Sequence, residues 1–117
     1  MRFTLKRETN PNFLNGVPEL LVLRLLKGRE MYGYELVQAI RDATAETIVL
    51  GEGVVYPVLH MLEREGALRS RRQSVSGRSR IYYSLTPNGE HRLQEVSSAW
   101  QRITDAIGAV LGGPQHA

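Results

Sequence analysis

At 117 residues the chain has room for a single core, and its fifteen Lys and Arg against twelve Asp and Glu give a net charge of only +3. Cysteine is absent, which excludes disulfides, thiolate nucleophiles and thiolate metal ligands and fits a reducing compartment. From Met1 to Asn10 the chain is polar and charged, with no apolar run of secretory-leader length. The longest apolar-rich stretch, Leu20 to Leu26, is broken by Arg24 and falls far short of the ~20 residues of a membrane span. A cytoplasmic protein with no membrane partner is expected.

A basic start (Arg2, Lys6, Arg7) leads to Val17 and Pro18, and proline is tolerated in a first helical turn because the amides there lack partners in any case. The first helix is predicted to run to about Lys27, where Gly28 stops it. Its leucines and Val22 cover almost the whole circumference, so it should be buried on several sides. A second helix follows Gly33, with Leu36, Val37 and Ile40 as its apolar stripe, and continues to about Ala45. After a linker around Gly51, a third helix is expected to begin near Val54, which places Pro57 in its first turn. Val55, Leu59 and Leu62 share its inner face, while Tyr56, His60, Glu63 and Arg64 look outward.

Gly66 ends that helix. Leu68, then Ile81, Tyr83 and Leu85, alternate with polar residues at period two, predicting two short strands joined by a loop from Ser74 to Ser79. Thr86 caps a last helix, Pro87 to Leu111, in which Leu93, Val96, Trp100, Ile103, Ile107 and Val110 recur at alternating intervals of three and four. Such a helix is about 37 Å long, more than a domain of this size can cover along one side, so much of its seam needs another chain. A homodimer follows as the expectation. The predicted organisation is mainly α (α+β): a winged helix-turn-helix with an N-terminal arm over residues 1–86, a C-terminal dimerisation helix over 87–111 and a disordered tail over 112–117.

Arg64, Arg69, Arg71, Arg72, Arg78 and Arg80 all fall in the third helix and the hairpin, where only one acid, Glu65, follows Arg64. Setting these aside leaves nine basic against eleven acidic residues, so the basicity is local. A helix with an exposed basic hairpin can engage a major groove and its flanking phosphates together. Arg78 and Arg80 flank the Ser/Gly tip and are candidates for phosphate or minor-groove contact. Arg71 and Arg72 point to opposite faces of a strand, so one at most should meet DNA. The Tyr56 hydroxyl either bonds a phosphate or belongs to a half-buried packing residue. His60, one turn on, either touches a base edge or phosphate or is an ordinary surface histidine. Trp100 either fills the dimer interface or, facing its twin, sandwiches a planar apolar ligand. The three histidines are scattered without paired carboxylates, and no phosphate loop, nucleophile elbow or acid/base pair is present. No metal, cofactor or enzymatic activity is therefore expected.

The run Tyr32-Gly33-Tyr34-Glu35-Leu36, the segment Val55-Tyr56-Pro57-Val58-Leu59-His60-Met61-Leu62-Glu63, Gly66, and Arg80-Ile81-Tyr82-Tyr83-Ser84-Leu85-Thr86-Pro87-Asn88-Gly89 together resemble the PadR family of transcriptional regulators. The single terminal helix is similar to its short subfamily, whose members are usually dimeric repressors that release DNA when small molecules, phenolic acids or flat hydrophobic drugs among them, bind. The resemblance implies that Tyr56, His60, Arg78 and Arg80 touch DNA, with Tyr34 as a further candidate. It also implies that Trp100, Val96, Phe13 and Leu14 line a pocket at the dimer centre. Val54 departs from the family pattern, which often has Ser or Thr there, so the cap of the third helix is expected from Glu52 or Gly53.

The combined expectation is a ligand-responsive repressor that binds double-stranded DNA at an inverted-repeat operator as a homodimer. Its DNA-contacting set is Tyr34, Tyr56, His60, Arg64, Arg71, Arg78 and Arg80, its interface Leu93, Val96, Trp100, Ile103, Ile107 and Val110, and its effector a planar aromatic small molecule. The alternatives are a winged-helix protein–protein adaptor that binds no DNA, and an enzyme acting in the dimer cavity.

Overall fold

A computed structural model describes residues 16–112. The order of elements is α1 (Val17–Leu25), β1 (Met31–Tyr32), α2 (Gly33–Ala43), α3 (Glu52–Arg64), β2 (Leu68–Val75), β3 (Arg78–Leu85) and α4 (Pro87–Gly112). The N-terminal arm with Phe13 and Leu14, and the tail beyond Gly112, lie outside the described residues. The fold is the expected mainly helical winged helix-turn-helix.

In α1, Pro18 sits in the first turn as anticipated, and Val17, Val22 and Leu23 are buried while Leu20, Leu21 and Leu25 pack at the core's edge. The regular helix ends at Leu25, two residues early. A tighter turn, in which the Lys27 amide donates to the Arg24 carbonyl at 3.2 Å, replaces its last residues before Gly28 reverses the chain at φ 80°. The two-residue strand β1 was not foreseen. It precedes α2 directly, and the Tyr32 amide donates to the Glu35 carboxylate at 3.2 Å, so Glu35 helps cap the helix from its third position. α2 ends at Ala43 rather than near Ala45, because Ala45 and Glu46 turn into the left-handed region at φ 51° and 64°. Thr44 holds that turn: its hydroxyl donates to the Ile40 carbonyl at 2.8 Å and accepts the Ile48 amide at 3.0 Å.

The third helix corrects two expectations. It begins at Glu52, so Pro57 lies in its second turn, where it has no amide to offer the Gly53 carbonyl. Its cap is the extended backbone of Gly51, whose carbonyl accepts the amides of Val54 and Val55, both at 3.1 Å; neither Glu52 nor Gly53 serves. The inner face is as read, with Val55, Leu59 and Leu62 fully buried.

The sheet is antiparallel in the order β1-β3-β2. β2 and β3 pair in register from Leu68 with Leu85 out to Val75 with Arg78, so the loop expected from Ser74 to Ser79 shrinks to Ser76 and Gly77. Both have positive φ, 50° and 78°, the mirror-image turn that matches the right-handed twist of a hairpin.

α4 is tied to this body along its first turns. The Thr86 hydroxyl accepts the Gly89 amide at 3.0 Å, the expected cap, and donates to the Gly66 carbonyl at 2.6 Å. Gly89 lies so near β2 that a Cβ there would stand 2.1 Å from the Ala67 carbonyl oxygen. Arg92 donates through Nε to Glu19 of α1 at 2.7 Å and through Nη1 to Glu65, the residue after α3, at 2.5 Å. These two carboxylates hold its guanidinium firmly in the charged form. Leu93 is buried in the protomer's own core, which removes it from the seam available to another chain.

Candidate nucleic-acid interface

The reading head is assembled from α3, the start of α2 and the root of the hairpin. Tyr56 is half-buried because Gly33 leaves room for it: a Cβ on residue 33 would stand 2.4 Å from the Tyr56 ring. Burial, and secondarily the nearby Glu52 carboxylate, pushes the Tyr56 phenol up from its ordinary value, so its hydroxyl stays protonated and able to donate. The His60 ring lies 6.3 Å from the Tyr56 ring, tilted by 42°, on the exposed face. Glu63 turns to the sheet and accepts the Ser70 hydroxyl at 2.6 Å. Arg64 stands exposed in the last turn, where a cation complements the helix dipole.

The cross-strand register sorts the hairpin side chains. Arg69, Arg71, Arg80 and Tyr82 share one face, while Ser70, Arg72, Ser79, Ile81 and Tyr83 share the face that meets α3. Arg71 is engaged within the protein: its Nε donates to Glu30 at 2.9 and 3.1 Å, its Nη2 bonds the same carboxylate, and its guanidinium lies 5.0 Å from the Tyr82 ring centre. That bond holds the Glu30 carboxyl below the usual carboxylate range and raises Arg71 in turn. Arg72 donates to the Ser79 hydroxyl at 3.0 Å. The Arg80 guanidinium lies 4.4 Å from the centre of the Tyr32 ring, and a side-chain hydrogen bond to Tyr82, with Tyr32 and Glu35 nearby, favours its charged form. Among the described residues the side chains of Arg64, Arg69 and Arg78 have no hydrogen bond, ion pair or ring contact, so their charge is available to a partner.

Of the sequence candidates, Tyr56, His60 and Arg80 come together around one cleft of about 280 Å³, whose other walls include Tyr32, Ser79 and Tyr83. Arg78 stands beside the turn, Arg64 at the far end of α3, and Tyr34 exposed on α2. Tyr32, Ser79 and Glu30 were missed. The signal for Tyr32 was its place at the head of the Tyr32–Leu36 run, and nothing in a single sequence joins Glu30 to Arg71. The distal seam is open: Trp100 is 42% exposed, Ile103 and Ile107 each 52%, and Val110 82%. Val96 is half-buried where the open stretch begins. A groove of about 560 Å³ between α1 and α4 is lined by Arg24, Lys27, His91 and Gln94 among others, and Trp100 is not part of its wall. Among the described residues no cluster of three or more His, Asp or Glu is placed to hold a metal, and no helix is long and apolar enough to cross a membrane.

Comparison with known proteins places this architecture. The chain is 32% identical over 104 residues to the transcriptional regulator Rv3488 of Mycobacterium tuberculosis, covering 89% of this chain and 92% of that one. It superposes with a TM-score of 0.79 and 27% identity on a transcriptional regulator from Clostridium thermocellum, covering 86% of this chain and 98% of the other. A PadR family transcriptional regulator from Eggerthella lenta gives a TM-score of 0.75 at 31% identity, with 86% of each chain covered. Residues 22–95 match the model of the "Transcriptional regulator PadR-like family". The match takes in the whole reading head and the seated part of α4, so the chain belongs to the PadR-like family of transcriptional regulators, DNA-binding proteins that are not enzymes.

Proposed function

We propose that the protein is a cytoplasmic, ligand-responsive repressor that binds an inverted-repeat operator as a homodimer. Each protomer lays the outward face of α3 in a major groove, with Tyr56, His60 and Arg80 at the cleft and Arg78, Arg64 and Tyr34 around it. The two half-sites then lie one helical turn, about 34 Å, apart. The observation that carries this reading is the convergence of α3 and the wing root on one cleft, with an unpaired arginine at the hairpin tip. Arg71 contributes differently: bound to Glu30, it ties β2 to the segment before β1, and any phosphate contact it makes is shared with that carboxylate.

The dimer forms through the open stretch of α4, where Trp100, Ile103, Ile107 and Val110 present apolar side chains that their own protomer leaves exposed. A planar aromatic effector bound beside Trp100 and Val96 would bias the separation of the two heads through its differential affinity for the two arrangements. A coupling of about 1–3 kcal/mol alters operator affinity five- to 150-fold. The decisive measurement is duplex affinity as a function of salt. Arg78→Ala weakens binding to every duplex and lowers the slope of log affinity against log salt by about 0.9, the share of one phosphate. An unchanged slope removes the wing from the interface.

A further inference from the structure

Tyr32 stands where all three parts of the reading head meet. It is the last residue of β1, pairs with Tyr82 of β3, and precedes α2, whose Glu35 accepts its amide at 3.2 Å. The next residue, Gly33, abuts the Tyr56 ring of α3. On one side the Tyr32 ring meets Tyr82 edge-on, at 5.4 Å and 74°; Arg80 stacks over it at 4.4 Å. β1 pairs only with Tyr82 and Tyr83, so the stretch of β3 from Arg78 to Ile81 has no strand beyond it on that side. The cleft borders this uncovered stretch.

The chemistry of the cleft is one-sided. It is lined by Tyr56, His60, Ser79 and Arg80, whose side chains can each donate a hydrogen bond, beside Ile81 and Tyr83 at the edge of β3, and no carboxylate residue lines it. Glu63 is taken by Ser70 and Glu35 by the Tyr32 amide. Ser79 accepts its hydrogen bond from Arg72, which leaves its own proton to donate outward. A lining that offers donors from both α3 and β3 and no carboxylate suits a tetrahedral oxyanion. A free arginine samples many rotamers, whereas one stacked on a tyrosine face is already confined to a narrow set before its partner arrives.

We propose that the cleft between α3 and the wing root seats a single phosphate of the DNA backbone, held from the helix by Tyr56 and His60 and from the wing by Ser79 and Arg80. Tyr32 is the positioning residue that keeps Arg80 at its mouth. The proposal rests on the DNA-contacting surface described above and adds two relations to it: helix and wing grip the same phosphate, and the ring face of Tyr32 sets that grip.

The test is to titrate the full-length protein and its variants with a mixed-sequence duplex of about 30 base pairs over roughly 50–200 mM salt. Arg80→Ala is expected to weaken binding about five- to tenfold and to lower the salt slope by about 0.9, one phosphate. Tyr32→Leu should reproduce both effects, while Tyr32→Phe, which keeps the ring face, stays within about twofold of wild type. Because His60 and Arg80 share a phosphate, the His60→Ala, Arg80→Ala double variant should lose clearly less affinity than the product of the two single losses. A wild-type slope for Tyr32→Leu overturns the positioning role, and multiplicative losses in the double variant overturn the shared phosphate. If Tyr32→Leu melts at the assay temperature, the Tyr32→Phe comparison is replaced by the His60–Arg80 cycle, which decides the seat by itself. Failure of the wild-type protein to bind any duplex at the lowest salt is a different result: it removes the DNA-contacting surface and this inference together.

Discussion

The two halves of α4 carry one apolar repeat and meet opposite fates. From Pro87 to about Val96 the helix is sewn into the protomer by the Thr86 cap, the close approach of Gly89 to Ala67, the forked contact of Arg92 with Glu19 and Glu65, and the burial of Leu93. From Trp100 to Leu111 the same periodicity runs on without burial against the described residues, and exposure rises from 42% to 82%. A helical repeat thus specifies a sticky stripe but not its partner; that choice is made by a small residue at the head of the stripe and a charge beside it. Glycine at position 89 and arginine at position 92 divide the half seated on the protomer from the half left exposed.

Three substitutions probe that division. The largest effect is expected from Gly89→Ala, whose methyl would sit 2.1 Å from the Ala67 carbonyl oxygen and would have to push the helix from the sheet. A loss of about 3 kcal/mol, read by thermal or denaturant unfolding, is expected; an unaltered midpoint would show that the root is not tightly seated. Next is Ile103→Asp in the open half. Ile103 is 52% exposed, so a dimer buries about half a side chain on each of two copies. Its loss weakens association by about 2 kcal/mol, near thirtyfold. Sedimentation should show the variant dissociating at concentrations where the wild type is paired, and a wild type already monomeric at micromolar concentration would break the comparison altogether. The smallest effect belongs to Arg92→Gln. Its ion pairs are only partly shielded, with 31% of the Arg92 side chain exposed, so after discounting for solvent a loss of about 1 kcal/mol in protomer stability is expected. Dimer strength should follow only so far as the root is loosened, which separates seating from association.

Much of this was legible in the order of residues. The buried faces of α1 and α3, the Thr86 cap and the long final helix follow from period and punctuation, because each is decided within a turn or two of chain. Features decided across the chain were not. The hairpin strands reach eight residues each, yet Ser74, Ser79 and Arg78 have no apolar alternation to advertise a strand. Their pairing is enforced by the Ser76–Gly77 turn and by strand twist. Pro57 lies inside α3 because helix start is set by the Gly51 backbone, not by a capping side chain. At the interface, Tyr56 and His60 were visible as an outward pair one turn apart. The cleft that joins them to Arg80 depends on Gly33 lying under the Tyr56 ring and on Tyr32 reaching across to β3, contacts between residues more than twenty positions apart. The bond between Glu30 and Arg71, 41 positions apart, belongs to the same class.

The double grip of Arg92 has a mechanical corollary. From Arg92 to Gly112 the rod runs about 30 Å, so each degree of tilt at that contact swings the far tip by about 0.5 Å. One guanidinium pinned between a carboxylate on α1 and another just past α3 therefore acts as the pivot bearing of a lever, and its play is magnified at the free end. In the proposed homodimer, the accuracy with which two copies hold their reading heads apart would be set at this bearing, about 30 Å along the rod from its far tip.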